Sequence, residues 1–189
     1  DGKRAPAMID PNKANISATT AVLLGLSALL GGDAANSQAP SPPVAGLAAQ
    51  EVGVRRCLPA ITAIAQRATS GATMQDIIVN WNRAAPDTSA FFSMTGMGTA
   101  NQRAALTIVA VPSADGKCAV LVERISSTAG DCAAIAGREF ANYPSARLID
   151  GIMVYQRAEV PDETFTLIQN GGSCLVIRRQ AMFNWWQRP

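Results

Sequence analysis

Residues 103–125 read RAALTIVAVPSADGKCAVLVERI, and their pattern is that of a β-hairpin. Arg103–Val111 and Lys117–Ile125 are rich in β-branched and aliphatic side chains, which favour strands. The residues between them end in the dipeptide Asp115-Gly116. Since Asp-Gly is a strong turn signal, the segment predicts two antiparallel neighbours in a sheet.

Four further segments are also predicted to be strands. Each either alternates apolar and polar residues or consists of consecutive apolar residues. They are Phe91–Met97, Arg147–Gln156, Thr164–Gln169 and Ser173–Gln180. The tripeptide 170–172, Asn-Gly-Gly, is a second tight-turn signal between the last two segments. The sequence therefore predicts six strands, grouped as two β-β-β units.

The two units resemble each other around a cysteine. Cys118 and Cys174 each follow a glycine by two residues and each begin an apolar run that ends at an arginine. Two interpretations are open. Either the units are internal repeats that pair into a single sheet, or hairpin chemistry alone produces the likeness.

Two helices are predicted before the strands. Apolar residues from Val54 to Ala68 recur at spacings of three and four, with Pro59 either in a first turn or at a kink. Thr73 and Asp76 resemble a capping box that would open a second helix, reaching about residue 83.

A third helix, Cys132–Ala141, is predicted between the two units, with Asp131 as its N-cap. The fold class is therefore α+β. We expect an antiparallel sheet of about six strands, formed by two β-β-β units joined by a helix, with two N-terminal helices packed on it.

The first 37 residues have the features of an export signal. The apolar run from Thr19 to Leu30 is shorter than the about 20 residues that span a bilayer, and small residues at 35–37 fit a signal-peptidase site. An uncleaved N-terminal anchor is the alternative, and the residues before Met8 are a leading extension or cloning remnant. Residues 38–49 are predicted to be a Pro-rich linker, followed by one disulfide-stabilised globular domain at 50–189.

Four cysteines in an exported chain predict two disulfides and an oxidising compartment, so that the protein is expected to be periplasmic or secreted. Reach along the strands favours one connectivity over another. We expect Cys118–Cys174 with Cys57–Cys132, in preference to Cys57–Cys174 with Cys118–Cys132.

Several kinds of chemistry are disfavoured by composition. The chain has no histidine and a net charge of only +2, which removes His-based nucleophile and metal sites and leaves no strong field for nucleic acid. Lys117 is the only lysine after Gln38, an arginine bias typical of a GC-rich bacterial genome. The sequence predicts no cofactor, no metal and no nucleic-acid partner.

Catalysis is less favoured than binding, but it is an alternative. The glycine-rich segment Thr95–Asn101 lies between two predicted strands, and a hairpin loop explains it better than a phosphate-binding loop. The carboxylates show no paired spacing on any one element. They are Asp87, Asp131, Glu139, Asp150, Glu159, Asp162 and Glu163. A small envelope or secreted enzyme would have to assemble them from separate loops.

The C-terminal segment is the candidate partner-binding site. It concentrates basic and aromatic side chains, namely Arg178, Arg179, Phe183, Trp185 and Trp186. Arg and Trp are enriched at the energetic centres of interfaces. The alternatives are that the aromatic residues cover the sheet, or that they contact a membrane.

These features favour an exported, non-catalytic protein-binding domain of the bacterial cell envelope. It would act as an accessory subunit, assembly factor or inhibitor on another envelope protein. Membrane contact is expected only through the N-terminal segment, if that segment is uncleaved. A lipid or small-ligand carrier is a further alternative, because a sheet covered by helices can enclose an apolar cavity.

Overall fold

A computed structural model of the chain describes residues 42–160 and 162–185. The predicted export signal, the start of the predicted linker and Trp186 lie outside the described residues. The described part is α+β, as predicted, with helices packed on one antiparallel sheet.

The sheet has eight strands, not about six. In chain order β1 to β8 are Met74–Trp81, Phe91–Gly98, Arg103–Pro112, Cys118–Ala129, Ser145–Ile149, Ile152–Gln156, Glu163–Asn170 and Ser173–Trp185. They lie in the order β1-β2-β3-β4-β8-β7-β6-β5. Each meander therefore has four strands, and the last strands of the two meanders pair at the centre of the sheet.

The first additional strand is β1, which the sequence analysis placed in a helix beginning at Thr73. That prediction was wrong. The β-branched run at 77–79 favours an extended chain, and β1 pairs with β2 over its whole length. The apparent capping box does not form, since the Thr73 N–H donates to the Gly98 carbonyl and the Asp76 carboxylate accepts from the N–H of Ile77.

The second additional strand arises because the predicted strand Arg147–Gln156 is a hairpin of β5 and β6. The chain turns at Asp150-Gly151, where Gly151 has a φ of +74°. Glycine tolerates this conformation and other residues rarely adopt it. An Asp-Gly turn signal inside an apolar segment thus outweighed the continuity of the segment.

Two N-terminal helices, α1 at Val44–Glu51 and α2 at Leu58–Ala68, precede the sheet. The sequence analysis placed 38–49 in an extended linker, but residues 44–49 are helical, and Ala45 and Ala49 are fully buried. Pro59 lies in the first turn of α2, where its missing N–H costs little.

The remaining helix, α3 at Cys132–Glu139, joins the two meanders as predicted. The side chain of Asp131 caps it, because its Oδ1 accepts a hydrogen bond of 2.8 Å from the N–H of Ala133.

The two halves of the sheet are related by an approximate dyad. Each half has a helix directly before a four-stranded meander, with α1 as an additional helix in the first half, and the strand order is symmetric about the β4–β8 pair. Cys118 and Cys174 are as far apart in sequence as Glu123 and Arg179 are. Glu123 and Arg179 are also direct cross-strand partners. A dyad that relates β4 to β8 by their cysteines passes between Glu123 and Arg179. The shared order of elements in the two halves favours the internal-repeat interpretation.

Both cores lie on one face of the sheet, beneath the helices. The larger core packs α1 and α2 on β1 to β4 and includes Ile61, Phe91, Leu106 and Ile108. The smaller core packs α3 on the second meander around Ile135, Phe140 and Leu167, with aromatic rings of β6 and β7 beside Phe140. The sheet therefore has one helix-covered face and one face opposite to it.

All four cysteines form disulfides, but the expected connectivity was wrong. The bridges are Cys57–Cys118 and Cys132–Cys174, with Cα atoms 5.8 and 5.0 Å apart. Cys118 and Cys174 begin β4 and β8, and because these strands are antiparallel the two cysteines lie at opposite ends of the pair. Each instead bonds to the cysteine at the start of the helix in its own half.

Candidate binding surfaces

The face of the sheet opposite the helices is rich in apolar side chains, interspersed with polar ones such as Thr107, Thr164 and Thr166. Directly paired residues of antiparallel strands point to the same face, so the register identifies its members. We call this surface the open face; it includes Ile78, Phe92, Met94, Val109, Leu121, Ile125, Val154, Ile168, Leu175 and Ile177. None of these side chains belongs to either core, and Ile78 and Met94 are 64% and 50% exposed.

An ion pair lies at the centre of the open face. Glu123 Oε1 and Arg179 Nε are 3.7 Å apart, on the two strands that meet at the dyad. The pair gives the apolar surface a fixed electric dipole at its middle. Both side chains are partly exposed, that of Arg179 to 54% and that of Glu123 to 29%.

The structure divides the predicted C-terminal site between the two faces. Arg179 lies on the open face, while Arg178 points to the helix-covered face and pairs there with Glu163. Trp185 is opposite Cys118 and packs against the larger core. The side chains predicted to form one site are therefore not brought together.

Phe183 is the one described aromatic residue of that segment that remains largely free, with 74% of its surface exposed. It lies where β8 bulges, between Met182, which pairs with Val120, and Trp185. Phe183 does not belong to the larger core, whereas its neighbour Met182 packs against that core.

A cleft of about 600 Å³ opens on the helix-covered face, beside α2 and β8. One part of its wall is apolar, formed by Ile64, Ala68, Leu106, Val122, Met182 and Trp185. The other part is cationic, formed by Arg67, Arg124 and Arg178 with Gln180. A second cleft of about 450 Å³ shares Arg124 and continues towards Arg103 and the hydroxyls of Ser126 and Thr128.

The arginines of these clefts differ in how their charge is balanced. Arg178 pairs with Glu163, whose side chain is 2% exposed and also lies 3.4 Å from Arg157. Arg124 is the direct cross-strand partner of Arg178. Within 42–160 and 162–185, neither Arg124 nor Arg67 has an ion-pair partner, and no acidic residue lines either cleft.

The carboxylates that were candidates for catalysis have structural contacts instead of a common site. Asp87 Oδ1 accepts 2.7 Å hydrogen bonds from the N–H groups of Arg55 and Arg56, ahead of α2. These bonds, first that from Arg56, lower the pKa of Asp87. Asp131 caps α3 and Glu163 is held by two arginines. In the part of the chain that the structure describes, no three such side chains gather as metal ligands would.

The glycine-rich segment lies at the β2–β3 hairpin, as the sequence predicted, but only its last three residues, Thr99 to Asn101, are in the loop. It contains the end of β2, which stops at Gly98, and the turn that leads into β3. A Cβ at Gly98 would lie 2.8 Å from the Arg103 side chain and 2.9 Å from the Gln102 carbonyl. Close approach of the chain to itself therefore explains this glycine.

Comparisons with family models, curated proteins and solved structures found no match to this chain. Among the described residues, no helix combines the length and apolar character that crossing a bilayer requires. The two disulfides indicate an oxidising, extracytoplasmic environment.

Sequence reasoning missed the open face and Arg124. A signal for the open face was present, since β3 and β4 are apolar at consecutive positions, as strands apolar on both faces are. Arg124 had no comparable signal, because only the pairing of β4 with β8 places it beside Arg178.

Proposed function

We propose that this chain is an exported, non-catalytic protein-binding domain that docks another protein of the cell envelope on its open face. In that role it serves as an accessory subunit, assembly factor or inhibitor. The observation that carries the proposal is an apolar sheet face left outside both cores, with an ion pair at its centre.

Exposure of such a surface is unfavourable in water. Soluble monomers rarely expose contiguous apolar patches beyond a few hundred Å², and strands about 4.8 Å apart make an eight-stranded face roughly 35 Å wide. Eight-residue strands such as β1, β2 and β7 are roughly 25 Å long at about 3.3 Å per residue, so the area of the face is on the order of the about 800 Å² that each partner buries in a standard interface. Docking of a protein would remove this surface from water.

The ion pair defines the chemistry of the partner. A purely apolar surface would desolvate Glu123 and Arg179 without replacing their water contacts, which costs free energy. A partner that presents a basic group to Glu123 and an acidic group to Arg179 avoids that cost and fixes its own orientation. The expected partner surface is therefore apolar with one complementary charge pair.

The first test is affinity isolation from the envelope of the native host, with a tag inserted before residue 42. A stoichiometric partner is then purified, and its binding to the wild-type protein and variants is measured by calorimetry. We expect Met94→Lys to weaken binding about tenfold or more, because it places a charge in the apolar contact.

Leu47→Lys is the matched control. Leu47 is 48% exposed on α1, almost the same fraction as Met94, but it lies on the helix side. Equal affinities of the two variants would refute docking on the open face. A wild-type protein that sediments alone as a dimer, dissociated by Met94→Lys, would show that the occupant is a second copy and would overturn the envelope partner.

The charge pair provides an independent test. Exchanging its members, as in the double variant Glu123→Arg with Arg179→Glu, keeps an ion pair between β4 and β8 and so leaves the fold supported. It reverses the polarity that the partner meets. We expect about tenfold weaker binding to the same partner, and unchanged affinity would show that the pair does not orient docking.

A further inference from the structure

We infer that the two joined clefts on the helix-covered face bind an amphiphilic organic anion, with a carboxylate or phosphate head and an apolar chain. This goes beyond docking of a protein on the open face. The inference rests on three observations: an unbalanced cluster of arginines, an apolar wall beside it, and a polar extension that meets both at Arg124.

The unbalanced charge is the first observation. Arg124 and Arg178 are directly opposite each other on β4 and β8, and like charges in that relation disfavour strand pairing. Of these two arginines, only Arg178 pairs with Glu163, which also pairs with Arg157. Within the described ranges Arg124 and Arg67 have no acidic partner, so an anion bound between them would supply the missing charge.

The shape of the site defines the rest of the ligand. Along β4 the helix-covered side runs from the hydroxyls of Thr128 and Ser126 through Arg124 to Val122. Arg124 thus lies where a polar lining changes to an apolar one. A head group held at Arg124 places an attached chain against Val122, Met182 and Trp185.

The clefts are large enough for such a molecule. Volumes of about 600 and 450 Å³ fall within the range of small-molecule sites. Guanidinium groups suit the head, because they bind carboxylate and phosphate through two parallel hydrogen bonds.

Dodecyl phosphate, below its micellar concentration, is the probe. Binding is measured by the shift in melting temperature and by tryptophan fluorescence, to which Trp81 and Trp186 contribute as well as Trp185. We expect saturable binding and a higher melting temperature for the wild-type protein. Inorganic phosphate alone and dodecyl maltoside alone are expected to bind much more weakly, since each lacks half of the ligand.

Arg124→Gln is the decisive variant. Loss of one charge-assisted contact should weaken dodecyl phosphate binding about 10- to 100-fold. Without the probe, Arg124→Gln should melt at the same temperature as the wild type or higher, because it removes a like-charge contact. Arg138→Gln, which removes the same charge from exposed α3, should bind as the wild type does.

Four outcomes would overturn the inference. One is absence of saturable binding of dodecyl phosphate. Another is equal affinity of Arg124→Gln and wild type. The third is a lower melting temperature of Arg124→Gln without the probe, together with unchanged binding, which would make Arg124 a structural residue. If inorganic phosphate binds as tightly as dodecyl phosphate, the apolar wall has no part and the proposed ligand class is wrong.

Discussion

Gly46 is where α1 and α2 come closest. A Cβ added there would lie 2.7 Å from Thr62 Oγ1, so Gly46→Ala overpacks the contact. We expect the free energy of unfolding to fall by about 1 kcal/mol, because a clash of roughly 1–3 kcal/mol outweighs the gain of up to about 1 kcal/mol from helix propensity. Urea denaturation measures the change.

Gly137→Ala in α3 is the matched control, since nothing lies within 4 Å of the Cβ it would add. It should stabilise by about 0.5–1 kcal/mol. In a Thr62→Ala background Gly46→Ala should also become stabilising. Destabilisation that persists in that background would show that the side chain of Thr62 is not what requires glycine.

Asp87 makes the stability of the segment that leads into α2 depend on pH. Hydrogen bonds from the N–H groups of Arg56 and Arg55 lower its pKa, so its contribution is present above the unfolded-state pKa near 3.9 and is lost as pH falls through the lower folded-state pKa. At pH 7, Asp87→Asn should reduce the free energy of unfolding by about 1 kcal/mol.

That difference should begin to shrink as pH falls below about 3.9 and should continue to shrink as pH falls through the lower folded-state pKa. The exposed Asp150 provides the control, and Asp150→Asn should match the wild type within about 0.5 kcal/mol over the same pH range. A difference between wild type and Asp87→Asn that is independent of pH would mean that charge on Asp87 does not support α2.

At the scale of elements, the neighbouring aromatic residues Phe183 and Trp185 of β8 lie in different environments. Trp185 contacts the larger core and Phe183 is exposed. We expect Trp185→Ala to lower the free energy of unfolding by about 1–3 kcal/mol, and Phe183→Ala to change it by less than about 0.5 kcal/mol. Equal losses in urea denaturation would contradict the assignment of β8 to two environments.

For the same reason, deleting Met182 onwards is not a clean test of docking. β8 is a central strand, and its last residues pair with β4 at Cys118 and Val120. The deletion should lower stability whether or not a partner exists. Point variants on the open face avoid this ambiguity.

The elements that the sequence predicted are those with local signals. The β3–β4 and β7–β8 hairpins carry Asp-Gly and Asn-Gly-Gly turns, and α3 carries its own cap at Asp131. The helix predicted in place of β1 was wrong because the capping pattern at Thr73 and Asp76 is a local signal. The contact that makes this segment a strand is its pairing with β2. The central β4–β8 pairing joins distant segments, so the disulfide partners, the dyad and the cationic cleft could not be derived from spacing.

At the scale of the whole molecule, the two disulfides each close one half, and the halves are unequal. The bridges span 61 and 42 residues, for which the chain-entropy model gives about 4 kcal/mol each. The first half has two helices over a large core, while the second has only α3 over the few buried residues around Phe140. Small cores fold poorly alone, so the second half depends on its bridge and on pairing with β4.

This asymmetry predicts different responses to loss of each bridge, as read by native-state hydrogen exchange. The pair Cys132→Ala with Cys174→Ala should expose β5 to β7 and α3 at low denaturant, while β1 to β3 stay protected by the larger core. The pair Cys57→Ala with Cys118→Ala should lower protection of both halves together, since β8 loses its stable neighbour β4. Equal and independent effects of the two replacements would mean that each half folds on its own, and the central strand pair would then not be what unites the sheet.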